Sequence, residues 1–194
     1  MVFSLRKIPP LDLNIILNDS KVEQVYVFKF LGVNIDTHLV WANHIDYIKK
    51  KISKGLGILY KAKRYLQSRT LLTLYYSFIY PYLMYCVDVW GAASRKKMLS
   101  LLRLQKRAGR IIKFAPRLTE SEPLFKSLEM LSVFKLYMLK ISLVMFKFYH
   151  GKIAGCISEL FVKNSEVNGR ITRQSDMLHV PFTRKESVKK TIRY

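Results

Sequence analysis

The chain reads as an α+β protein, predominantly α: a small N-terminal antiparallel β-sheet followed by a helical bundle. Three observations predict it. Short apolar runs, LNIIL, KVEQV and VFKFLGVNI, crowd the first 36 residues and are separated by turn chemistry. From Trp41 onward the apolar residues recur at three- and four-residue steps, the helical period. Gly91, Pro116 and Gly151 stand where those helical stretches should end. The segments divide as 1–38 for the sheet, 39–161 for the bundle and 162–194 for a basic, loosely held tail.

The sheet comes first. After Pro9-Pro10, LNIIL forms one strand, Asn18-Asp19-Ser20 turns the chain, and KVEQV pairs with it. VFKFLGVNI is expected as a third, covered strand. It places Val27, Leu31, Val33 and Ile35 on one face and Phe28 and Phe30 on the other. Gly32 interrupts it, as glycine does at a bulge or a close backbone approach. In the next segment Ile45, Ile48, Ile52, Leu56 and Leu59, with Tyr60, form a helical stripe ringed by Lys49, Lys50, Lys51, Lys54, Lys61, Lys63 and Arg64. Gly55 and Gly57 each weaken that helix by about 1 kcal/mol relative to alanine, which points to a packing contact or a bend.

Ser68 is an N-cap for a helix from Arg69 to Trp90 that Pro81 should kink. Ser94 caps RKKMLSLLRLQKRAGRIIK, whose apolar side is Leu101, Leu104, Ala108, Ile111 and Ile112. Ser121 and Pro123 open a short helix, and Ser132 or a neighbour opens a longer one that runs to about His150 and stops at Gly151.

Thirty-four Lys and Arg against 13 Asp and Glu leave a formal charge of +21, a field that favours polyanions, nucleic acid or an anionic membrane surface. From Lys49 to Pro116 the only acid is Asp88, whereas a merely solvated helix face mixes both signs. That imbalance favours phosphate contact. The lone cysteines, Cys86 and Cys156, share no metal-type spacing with the histidines and read as reduced core thiols. MVFSLRKIPP has no long apolar run behind its positive charge and does not read as a signal peptide, so an intracellular location, nucleus or cytoplasm, is expected. LLTLYYSFIYPYLMYCVDVW is about long enough to span a bilayer, but its tyrosines are spread through the middle rather than gathered at the ends. A buried core helix is the expectation there; a membrane-associated protein with this segment inserted is the alternative.

Chemistry is sparse. No two carboxylates are adjacent, and no phosphate loop, nucleophile elbow or zinc-binding pair occurs. Asp36 and Asp46 bracket the strand-to-helix junction as a turn residue and a solvated acid early in the helix. His44 reads as a surface histidine that could also touch a phosphate.

One ordered series is far more specific. FKFLGVNID, then W-A-N-H-I and KISKGLGIL, resembles the reverse transcriptases of non-long-terminal-repeat (LINE-type) retrotransposons, near the jockey and chicken-repeat groups. The likeness continues through RTLLTLYYSFIYPYLMYCVDVWG, LLRLQKRAGRII, TESEPLFKSLEMLSV and the late TR…VPFTR…TIRY, and covers nearly the whole chain.

The resemblance implies that the F-K-F-L-G strand is the end of the palm and that the basic helix belongs to the thumb, which lies along the RNA/DNA template–primer duplex. Carried onto this chain, the nucleic-acid-binding set is Lys29, Gly32, Trp41, His44, Lys49, Lys50, Lys54, Lys61, Lys63, Arg64, Lys106, Arg107 and Arg110. In it Gly32 permits close backbone approach and Trp41 anchors the thumb root. The family's Y-A-D-D motif and earlier palm aspartate fall upstream of Met1, and no Asp-Asp pair occurs here. The fingers and most of the palm are therefore expected elsewhere. Mg2+ is expected only in the full-length polymerase, and polymerisation is not expected of this chain alone. An inert transposon remnant is the remaining alternative.

Overall fold

A computed structural model describes residues 1, 3, 14–167 and 173–179. The expectations for Pro9-Pro10, for Leu13 in LNIIL, and for Thr172, VPFTR and TIRY lie outside the described residues. The chain forms two compact units, Met1–Leu136 and Tyr137–Tyr194. Described residues are mostly helical, with two small antiparallel hairpins, so the α+β, helix-rich class holds.

In the first unit, β1 (Ile16–Leu17) pairs with β2 (Ser20–Lys21). Asn18 and Asp19 between them both take positive φ, 48° and 59°, the mirror-image turn that matches strand twist. The second hairpin corrects the expected single strand. β3 (Val27–Phe30) and β4 (Val33–Asp36) are antiparallel partners, with Phe30 opposite Val33. Leu31 and Gly32 form the two-residue turn at φ 44° and 83°. Gly32 thus serves a tight turn rather than a bulge. A Cβ built there would sit 3.6 Å from Tyr85, an ordinary contact, so the positive φ is what demands glycine. Covering also differs from expectation: all of β3 is exposed, and Val33 is the buried residue of the pair.

Asp36 then organises the junction. Its Oδ1 accepts from the backbone N–H of His38 at 3.2 Å and Val40 at 2.9 Å, and its Oδ2 accepts from Trp41 at 2.7 Å. One carboxylate so satisfies three backbone donors and folds the loop tightly. Trp41, buried and left-handed at φ 62°, leads into α1 (Ala42–Ala62). The buried stripe of α1 is Ile45, Ile48, Ile52, Leu56 and Leu59, as the periodicity predicts, while Tyr60 is exposed. The two glycines differ. A Cβ on Gly55 would stand 2.8 Å from Ile79 Cγ1, whereas one on Gly57 would meet nothing within 4 Å.

The predicted Arg69–Trp90 helix is three helices: α2 (Ser68–Phe78), α3 (Tyr80–Met84) and α4 (Val87–Trp90). Ser68 is the first helical residue and Gln67 the cap. Pro81 lies in the first turn of α3, where its missing N–H is harmless, and Cys86 breaks the chain again at φ 49°. Membrane insertion of this segment as one helix is thereby corrected. Among the described residues no helix is long and apolar enough to cross a membrane.

α5 (Arg95–Ile112) follows Ser94 and packs most extensively on α1. At its end Phe114 turns left-handed while Ala115 N–H bonds the Arg110 carbonyl and Phe114 N–H that of Ile111, a Schellman closure without glycine. α6 (Ser121–Ser127) closes the same way through Glu129 and Met130. α7 (Val133–Tyr149) opens with Ser132 Oγ accepting from Lys135 N–H at 3.4 Å.

Gln105, which stands among lysines and arginines in the sequence, is fully buried, at 0% exposure. Its Nε2 donates to Tyr75 Oη at 2.9 Å and to the Leu131 carbonyl at 2.7 Å, and its Oε1 accepts from Val133 N–H at 2.9 Å. One amide therefore ties α5 to α2 and to the start of α7. Burial also holds the Tyr75 phenol well above its ordinary range, so it stays protonated.

In the second unit α7 ends at Gly151, left-handed at φ 62°, with Lys152 N–H on the Lys147 carbonyl. α8 (Gly155–Ser158) and α9 (Asn164–Val167) follow. Lys163 and Leu178 form a β-bridge, His179 N–H bonds the Val162 carbonyl at 2.7 Å, and Asn164 Nδ2 donates to the Gln174 carbonyl at 3.0 Å. The described parts of the tail thus hold one another. Both cysteines are free, but Cys156 is exposed and Cys86 half-buried, which corrects their reading as core thiols.

Candidate nucleic-acid interface

The basic residues of α1 and α5 sort by helical geometry. Successive side chains step by about 100° around a helix. On that step Lys50, Lys54 and Lys61 project within about 40° of one another, opposite the buried Ile52 and Leu59, and all three are exposed. On α5 the same arithmetic aligns Lys96, Arg103, Arg107 and Arg110 within about 60°, opposite the buried Leu101, Gln105 and Ile112. Each helix buries one stripe and turns a cationic stripe to solvent.

The two helices run side by side in the same direction. Lys97, at the start of α5, donates from Nζ to the Val40 carbonyl just ahead of α1 at 2.9 Å. At their far ends a cavity of about 530 Å³ is lined by Tyr60, Lys63, Arg107, Arg110, Ile111, Ala115 and Arg117. Among the described residues four cations and no carboxylate line it. Their mutual repulsion is offset by the negative partial charge at two adjacent helix C-termini. Two of them are also fixed in place: Lys63 Nζ stands 5.6 Å from the Phe114 ring centroid, and Arg110 Nε donates to the Thr119 carbonyl at 2.9 Å. Such a basin can receive phosphate oxygens with little reorganisation.

The other sequence-predicted residues separate from this basin. Lys49 is held 3.0 Å from Asp46. Arg64 is exposed just past the end of α1. Lys106, although adjacent to Arg107, lies in a different groove of about 730 Å³ beside Glu120, Glu122 and Glu129, because one residue along a helix changes the face. Lys29 stands 5.8 Å from the Tyr47 ring centroid, near the second hairpin, and Lys51 stands 5.5 Å from the same ring. Trp41 is core.

His44 is corrected outright. It is 2% exposed, lies edge-on to Trp90, and accepts Asn34 N–H on Nδ1 at 3.3 Å. Burial lowers its pKa, so the ring is neutral and does not serve as a surface cation for phosphate.

Arg117, Tyr60 and Arg103 were missing from the predicted set. The spacing Lys96, Arg103, Arg107, Arg110 carried the signal for Arg103, whereas Arg117 follows Pro116 in a loop and has no periodic signature. Among the described residues no group of three or more His, Cys, Asp or Glu lies together to hold a metal ion.

No family model, no curated protein and no solved structure matches this chain.

Proposed function

We propose that this chain grips nucleic acid: it acts as the thumb region of a LINE-type RNA-directed DNA polymerase and holds the RNA/DNA template–primer duplex by its phosphates. The observation that carries the proposal is the basin where the cationic faces of α1 and α5 end together, with Lys63, Arg107, Arg110 and Arg117 around it and no carboxylate among the described residues that line it. Guanidinium forks match phosphate oxygens two at a time, and the lysines add charge without directional demand. Contacts of this kind set register and orientation but read no bases, so binding is sequence-tolerant. The metal ions and acids of nucleotidyl transfer that the resemblance implies would belong to other parts of such a polymerase. No catalytic step is assigned to residues here.

The test is fluorescence anisotropy with a labelled RNA/DNA heteroduplex across a salt series. A steep, linear fall of log affinity with log salt is expected. Binding that is indifferent to salt would remove the phosphate mechanism. Reversing charge at Lys50, Lys54 and Lys61 together should abolish binding, and an unchanged affinity would move the contact elsewhere.

A further inference from the structure

A cavity of about 370 Å³ lies where the second hairpin meets α1, α2 and α3. Its walls include Gly32, Tyr47, Ser77, Tyr82 and Tyr85, and His44 lines it from the core side. Tyr85 is pinned there by its hydroxyl, which donates to the Leu31 carbonyl at 2.5 Å.

His44 makes the cavity unusual. Nδ1 accepts the Asn34 N–H, so the neutral ring carries its proton on Nε2. That Nε2–H is buried and has no hydrogen-bond partner among the described residues. A buried donor left unpaired is destabilising, so such a group calls for an acceptor. Around it are aromatic rings, the surface on which flat unsaturated rings stack. Lys29 and Lys51 flank Tyr47 at 5.8 and 5.5 Å, which places positive charge beside the aromatic wall.

We propose that this cavity takes a single unstacked nucleobase: its ring lies against the tyrosines, a carbonyl or ring-nitrogen acceptor takes the Nε2–H of His44, and Lys29 and Lys51 attract its phosphate. The inference rests on the nucleic-acid reading above and gives it a second, separate contact. Stacking is tolerant of base identity, and one donor from His44 is satisfied by an acceptor edge of any base. The base comes either from an unpaired strand end or from a free nucleotide, and both present the same chemistry.

The full chain is titrated with uridine 5′-monophosphate, adenosine 5′-monophosphate, ribose 5-phosphate and inorganic phosphate while the His44 Nε2–H resonance is followed by NMR. Both nucleotides should shift that resonance, and the two base-free phosphates should leave it unmoved. Equal shifts from ribose 5-phosphate, or none from any probe, as a trapped water alone would give, overturn the proposal. Ser77→Phe places a ring at the mouth. Ser77 is exposed and its hydroxyl bonds only within its own helix, to the Thr73 carbonyl at 3.0 Å, so the variant should fold. It should lose nucleotide binding at least tenfold while keeping the salt slope of blunt heteroduplex binding; unaltered nucleotide affinity in this variant refutes the site. A heteroduplex with a one-nucleotide overhang should bind the parent chain more tightly than a blunt one if the strand end is the source, and equally if a free nucleotide is. Weaker heteroduplex binding with a lower salt slope on neutralising Lys50, Lys54 and Lys61, with nucleotide binding intact, would separate the two contacts. Nucleotide binding in a chain that ignores heteroduplex would sink the duplex-gripping role alone.

Discussion

Neutralising the α1 stripe is the most direct measure of whether those lysines touch phosphates. Lys50 and Lys61 are separated by eleven residues, about 16 Å of helix at about 1.5 Å per residue. Lys54 lies between them on the same exposed face. That length is matched to several consecutive backbone charges of a duplex, so three lysines can each meet one phosphate. Each phosphate neutralised contributes about 0.9 to the slope of log affinity against log salt. The variant Lys50→Gln, Lys54→Gln, Lys61→Gln should therefore lower the slope by about 2.7. Between 50 and 200 mM salt, the parent chain should lose about 40-fold more affinity than the variant. Glutamine keeps the length and helix propensity of the side chain, so circular dichroism should be unchanged. Anisotropy on a labelled heteroduplex at four or five salt concentrations measures the slope. A variant with weaker binding but the parent's slope would mean that these lysines release no counterions, and the contact assigned to them would be wrong.

Four further outcomes bear on the scaffold that holds the stripe. Gly57→Ala should stabilise the chain by about 1 kcal/mol, since a Cβ there meets nothing within 4 Å. Gly55→Ala should instead destabilise by about 1–3 kcal/mol, because its Cβ would press on Ile79 at 2.8 Å and on the Phe78 carbonyl at 3.2 Å; urea midpoints that move together would contradict the packing of α1 against the α2–α3 break. Gln105→Leu should cost about 2–5 kcal/mol by orphaning the Val133 N–H and the Leu131 carbonyl, and a variant as stable as the parent in urea would dismiss the amide as a tie. Lastly, burial lowers the His44 pKa, so below pH 6.5 the unfolded chain takes up a proton there before the folded one does. Stability should fall as pH drops below that value, by up to about 1.4 kcal/mol per pH unit, and His44→Asn should lose that part of the dependence; identical pH profiles would place the ring in water.

How much of this was readable from residues alone follows the strength of each local signal. Ile45, Ile48, Ile52, Leu56 and Leu59 recur at helical steps, and all five are buried. The hairpin at Leu31-Gly32 was hidden because a leucine stands where a type I′ turn usually has asparagine or aspartate. With apolar residues on both sides, the stretch reads as one strand through the turn. Pro81 announced a kink, but the second break at Cys86 takes a left-handed residue with no turn chemistry in its side chain. Gln105 was concealed by its neighbours, since an amide among lysines and arginines looks solvated until its tertiary partners are known. The candidate interface behaved likewise. Charge excess was plain in composition, yet which cations converge depended on helix phase and on two helices ending together. That geometry separates Lys106 from Arg107 and brings in Arg117.

The cationic stripes also follow from how this core is built. Each helix that buries isoleucine and leucine on one side must turn its remaining residues outward, and here those residues are lysine and arginine with almost no acids between them. Among the described residues Lys50, Lys54, Lys61, Lys96, Arg103 and Arg107 have no side-chain hydrogen bond or ion pair of their own. Their repulsion is therefore not discharged inside the fold; it opposes the compact state. Packing through Gly55 and Ile79, the Gln105 amide and the Asp36 junction supplies the rigidity that holds like charges at fixed spacing. A ligand that brings negative charge relieves that repulsion only in the folded chain, where the cations are gathered. Binding and stability are then linked, and a polyanion that engages both stripes should raise the unfolding midpoint more at low salt than at high. Thermal unfolding with and without heteroduplex at two ionic strengths reads this directly. A midpoint that ignores heteroduplex at low salt would mean that these charges meet no phosphates and face water alone.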